Sequence, residues 1–163
     1  MKWVRKHPWA WFGIKWSLAA AAVFYVMVYV IGFYVVRGET MAPQMHDGDL
    51  LILYRGGSFC VGDVVCYRTK DNQKRISRIA AVDGQEVNIT ETGWYLDGFV
   101  PSETCFYETR PDPESAVLYP HRVCGYFVMD DQRTIGADSR SSGDLSRDQI
   151  LGKVIFLLRV RGW

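Results

Sequence analysis

Apolar residues are distributed along this chain in two ways. Across residues 17–36 they run for twenty positions without a charge. As a helix, that length matches the hydrocarbon core of a bilayer. Beyond Arg37 they come in short groups divided by Gly, Asp and Pro, the pattern of strands and turns. Strands are predicted at 50–54 after Gly48-Asp49, at 64–67 after Gly62-Asp63, and at 75–82 up to the turn dipeptide Asp83-Gly84. Residues 86–90 alternate Val87 and Ile89 against polar neighbours. Residues 94–96 with Asp97-Gly98 read as one arm and the turn of a hairpin. Further strands are predicted at 125–129 and 154–158. Pro101, Pro111, Pro113 and Pro120 make 99–121 an excursion, not a central strand. The predicted fold class is mainly β, a β-rich domain with one N-terminal transmembrane helix.

Charge orients the helix. Lys2, Arg5, Lys6 and Lys15 precede the apolar run, and only Arg37 closely follows it. This excess places the N-terminus in the cytoplasm. The expected organisation is a cytoplasmic tail over 1–16, a transmembrane anchor over 17–36 and an extracytoplasmic domain over 37–163, with the cell membrane as location and membrane lipid as a partner. A cleaved signal peptide is the rival reading. It expects a shorter apolar region followed by a small-x-small site, whereas Val35-Val36-Arg37 follows here.

Composition narrows the function. Net charge is +1 over 163 residues, so a nucleic-acid partner is not expected. Cys60, Cys66, Cys105 and Cys124 all lie beyond the anchor. In an oxidising compartment they permit two disulfides, with Cys60–Cys66 and Cys105–Cys124 the favoured pairing; free thiols are the alternative. No C-x-x-C spacing supports a metal site, and no metal or cofactor is expected. Directly after the anchor, Gly38-Glu39-Thr40-Met41-Ala42-Pro43 holds a hydroxyl between a flexible and a stiff position. A hydroxyl there could be a nucleophile aimed at chains emerging from the membrane, or merely the cap of a juxtamembrane turn.

The order of motifs adds meaning. A single anchor, G-x-hydroxyl-M-x-P, Gly-Asp before an apolar strand, Gly-Asp-Val-Val, a basic strand ending in Gly, and Asp138-Ser139-Arg140 with Gly143 follow one another. Together they resemble the type I signal peptidases, the Ser-Lys family that removes signal peptides outside the membrane. The resemblance covers essentially the whole chain and implies the family's β-rich protease core. Met41 and Pro43 match the residues after the family's nucleophile. Arg78 matches the Arg that follows its catalytic Lys. Asp131 and Arg133 match the Asp and Arg of Gly-Asp-Asn-Arg, so Arg78 and Asp131 are expected to pair.

The three chemical positions depart from the family. The nucleophile falls on Thr40, the general base on Ser77, where the family has Lys, and the base-orienting Ser on Gly136. A hydroxyl needs a base to attack at neutral pH, and Ser77 is none. Lys74 lies three residues upstream and on the opposite face of the strand unless a bulge re-registers it. Arg75 shares the parity of Ser77 but stays protonated. His46 and His121 read as loop residues, and His7 lies on the cytoplasmic side. The resemblance therefore implies a protein without peptidase activity that binds an exported polypeptide or signal-peptide-bearing preprotein in an extended groove near Met41, Ile76 and Ile79. The non-catalytic signal peptidase-like proteins of Gram-positive pilus systems are similar, which implies a pilin client. The alternatives are an active signal peptidase with Thr40 as nucleophile and a structural protein using the fold only for assembly.

Overall fold

The computed structural model describes residues 8–102, 107–112, 117–135 and 137–159. Helix α1 (Pro8–Tyr25) continues through a π-helical turn, Val26–Val30. Pro8 suits a helix start, because the missing N–H would be unpaired there anyway. Trp11–Val30 has a mean hydropathy of 1.6 and no buried residue, which fits a membrane anchor. The helix thus starts and stops earlier than the 17–36 expected from the apolar run. Ile31-Gly32-Phe33-Tyr34-Val35 instead forms strand β1 (Ile31–Val35), which pairs with β2 (Leu50–Tyr54). Its β-branched and aromatic residues suit a strand, and the neighbour supplies the hydrogen bonds. Arg55 closes the helix end: its N–H donates to the Val30 carbonyl and its guanidinium to the Val28 carbonyl, both at 3.0 Å.

The main sheet has six antiparallel strands in the order β1-β2-β9-β3-β4-β8. Here β3 is Val64–Arg68, β4 Lys74–Val82, β8 Tyr126–Met129 and β9 Ile150–Leu158. A smaller sheet, β6-β5-β7, holds Gly93–Leu96, Glu86–Thr90 and His121–Arg122. Each strand expected from the pattern is present, and β9 starts four residues earlier than expected. β1 was masked by its continuity with the apolar helix.

Three clusters fill the core. Met41, Met45, Leu51, Cys66 and Ile76 pack beneath the segment after the anchor. Val65, Tyr67, Ile79 and Val128 pack on the other side of the main sheet. Val87, Ile89, Trp94, Phe127 and Met129 join the two sheets. The expected Cys60–Cys66 disulfide is not formed. Cys66 is buried in β3 among core side chains, while Cys60 lies in an exposed turn, and both are free thiols. Cys124 is also a free, exposed thiol, and Cys105, its expected partner, lies outside the described residues.

Candidate functional site

The segment from Val36 to Asp49 is a closed loop tied at its base. The Val36 N–H donates to the Asp49 carbonyl at 2.8 Å, and the Gly48 N–H returns to the Val36 carbonyl at 3.0 Å. The Asp47 carboxylate accepts from the Gly38 N–H at 2.8 Å. Gly38 sits at φ 80° and Gly48 at φ 86°, which favours glycine at both corners. Met41 is sunk into the core at 1% exposure and anchors the turn. Its neighbour Thr40 stays half-buried at the surface. The Thr40 hydroxyl makes no hydrogen bond among the described residues, so it does not serve as a cap. The Thr40 carbonyl accepts from the Gln132 N–H at 2.9 Å, which docks the loop onto the segment after β8.

Thr40 opens onto a cavity of about 880 Å³. One wall is β1 with Arg37, the other is the start of β4 (Lys74, Arg75, Ile76), and Asp130, Ile135 and Ala137 close the end. Both strand walls expose unpaired backbone. β1 is the outermost strand of its sheet, and β8 meets β4 only from Arg78 onward, so the segment from Lys74 to Ser77 has one open edge among the described residues. The Tyr34 hydroxyl crosses between the walls and donates to the Lys74 carbonyl at 3.0 Å.

Of the three residues expected to line the groove, Met41 and Ile76 do so. Ile79 does not: it is fully buried against Val65, Tyr67 and Val128. Three residues along a strand reverse the face, which separates Ile79 from Ile76. Lys74 is exposed at the rim. The bulge that would turn it inward is absent, because the β3–β4 register runs unbroken from Val64↔Arg78 to Arg68↔Lys74. His46 and His121 do not line the cavity. The His121 ring meets the Asp144 carboxylate at 2.9 Å beside the smaller sheet. Gly136 lies outside the described residues.

Ser77 has no exposed surface. Its hydroxyl donates to the Asp130 carboxylate and lies 3.3 Å from the Tyr67 hydroxyl. Asp130 follows directly on β8 and is 3% exposed, yet it lines the cavity. Burial pushes its carboxyl up to about 7. The Asp138 charge adds to the rise, while the Ser77 hydrogen bond, Arg75 and Arg140 oppose it. Sequence reasoning misses Asp130. Its signal was an acid in the position before Asp131, where Gly-Asp-Asn-Arg begins with glycine.

The scaffold residues hold this arrangement. Arg78 grips Asp131 with two hydrogen bonds, at 2.9 and 2.7 Å, as expected, and also reaches the Gly62 carbonyl and the Gln44 side chain. Asp138 is fully buried. It accepts from the Asp130 N–H at 3.0 Å and from Arg140, and it caps the short helix α2 (Ser139–Ser142). The Ser139 hydroxyl accepts from the Val128 N–H, and Arg140 donates to the Arg133 carbonyl at 2.7 Å. Arg133 is buried against Thr109 and Met129. Pro43 lies exposed in the turn after Thr40.

The family model described as "Signal peptidase, peptidase S26" matches residues 9–159. The chain belongs to this signal peptidase family. Signal peptidase IB of Staphylococcus aureus is 26% identical over 171 residues, spanning 88% of this chain and 87% of the relative. Signal peptidase I of Bacillus licheniformis is 27% identical over 154 residues, spanning 86% and 83%. A signal peptidase I crystal structure from Enterococcus faecalis has a TM-score of 0.48 and 18% identity, covering 60% of this chain and 97% of that one. Within this family member, the Ser77 and Asp130 side chains are bonded to each other where β4 meets the end of β8.

Proposed function

We propose that this signal peptidase-like protein is anchored with its N-terminus in the cytoplasm and residues 37–163 outside. There it binds an exported polypeptide in extended form. The family implies signal-peptide-bearing preproteins as its substrate class, and the resemblance to pilus-system proteins makes a pilin the sharpest form of the client. The client would enter between β1 and the open edge of β4, take main-chain hydrogen bonds from both, and place side chains against Met41 and Ile76. The family's lysine-assisted cleavage is lost, because the lysine position is Ser77, buried and committed to Asp130.

The observation that carries this reading is the cavity flanked by two unpaired strand edges beside Thr40. Its test is photocrosslinking of a preprotein, or of a pilin, to full-length protein in lipid, with the crosslinker at position 41 or 76. Capture that survives Thr40→Ala but is lost on Ile76→Asp supports a groove for holding. Equal capture from the opposite, outer sheet position 156 would refute it.

A further inference from the structure

The proton acceptor that β4 lost has a counterpart on the neighbouring chain segment. Met129 sits across from Arg78, so the next residue, Asp130, comes alongside Ser77. One carboxylate oxygen of Asp130 accepts from Ser77, and the other carries no hydrogen bond among the described residues. Asp130 is almost fully buried, lines the same cavity as Thr40, and has its N–H fixed by Asp138. The Thr40 hydroxyl is equally unengaged, and its carbonyl is tied to Gln132, two residues past Asp130. Nucleophilic catalysis requires a hydroxyl, a base and a group that orients the base. We infer that Thr40, Asp130 and Ser77 fill these three roles, so that the groove also hydrolyses a bound peptide slowly. This goes beyond holding, and it rests on client binding in that groove.

A lysine becomes a base near neutral pH when burial lowers its affinity for protons. A carboxyl reaches the same range from below when burial raises it. Asp130 lies in that range at about 7, with Asp138 raising it and Arg75 and Arg140 holding it down. Tyr67 faces it through Ser77, and Arg37 and Lys74 line the same cavity. In the first step Thr40 Oγ1 bonds to the client's carbonyl carbon as its proton passes to the Asp130 carboxylate. The tetrahedral adduct then breaks its C–N bond, and the proton goes from Asp130 to the leaving amine. Water attacks the resulting Thr40 ester, its proton passing to Asp130 and then back to Thr40. Ser77 acts as a positioning residue.

The experiment is preprotein cleavage by full-length protein in lipid, with crosslinking measured on the same samples. Wild type is expected to cleave slowly. Thr40→Ala and Asp130→Asn are both expected to keep binding the client. Asp130→Asn should cleave at least about 100-fold more slowly, the usual contribution of a general base. Thr40→Ala, which removes the nucleophile, should not cleave detectably. The wild-type rate should rise with pH up to about 7 and then level off. Ser77→Ala should alter that pH midpoint, a readout that a purely structural role would not move. Binding without cleavage by wild type overturns the inference and leaves the holding role intact. Cleavage that survives Asp130→Asn, or a wild-type rate that does not change with pH, also overturns it. Loss of binding in the wild type removes the groove reading and the inference together. If Asp130→Asn fails to bind, the wild-type pH profile decides the matter alone.

Discussion

Replacing Asp130 by Asn should change how stability depends on pH, and the magnitude follows from its burial. The carboxyl has an ordinary value of 3.8 and lies at about 7 in the fold, chiefly because burial penalises its charge. At about 1.4 kcal/mol per pH unit, that difference corresponds to an upper bound of about 4–5 kcal/mol. The acid's folded value is the higher one. Its contribution is therefore fully present below about pH 4, declines as the pH rises, and is lost above about pH 7. Asn keeps the shape and can still accept from Ser77, but it does not titrate. Relative to wild type, Asp130→Asn should thus gain stability between about pH 4 and 7 and hold a constant advantage above. The assay is urea unfolding of the full-length protein in detergent at several pH values, followed by the fluorescence of tryptophan, one of which, Trp94, is in the core. Subtracting the two profiles removes every other titrating group. Parallel profiles would refute the assignment of a buried, proton-holding carboxyl at this wall.

Other consequences are local. Arg78→Ala should cost about 1–3 kcal/mol, because it strips Asp131 of a two-pronged partner and frees the Gly62 carbonyl, and thermal unfolding reads it. Gly125→Ala should cost more than about 1 kcal/mol by the same assay. Its φ is +113°, and a Cβ there would lie 2.4 Å from the Leu145 carbonyl oxygen. A maleimide should label Cys60 and Cys124 quickly in the folded protein and Cys66 only after unfolding, as mass spectrometry would show. Ser77→Lys alone should not install the family's base, because an ammonium set against Asp130 keeps its proton; preprotein cleavage no faster than wild type is the expected readout.

The sequence by itself determined what depends on short-range pattern. An uncharged apolar run requires a lipid or buried setting, and Gly-Asp corners between short apolar groups favour strands and turns; these pointed to the apolar helix, most of the sheet and the loop carrying Thr40. The family resemblance carried the expectation that Arg78 pairs with Asp131, and the adjacency of β4 and β8 realises it. Tertiary structure decided what depends on neighbours far apart in the chain. The end of the apolar run became a strand because β2 was available to pair with it. Ile79 turned into the core because strand parity, not proximity to Ile76, fixes its face. Ser77 looked like a simple loss until β8 brought Asp130, more than fifty residues away, against its hydroxyl. Asp130 itself read as one acid in a polar stretch. Only the burial imposed by β4, β8 and the Asp138 clamp gives it the proton affinity of a base, and burial is a property of packing, which no local stretch of sequence contains.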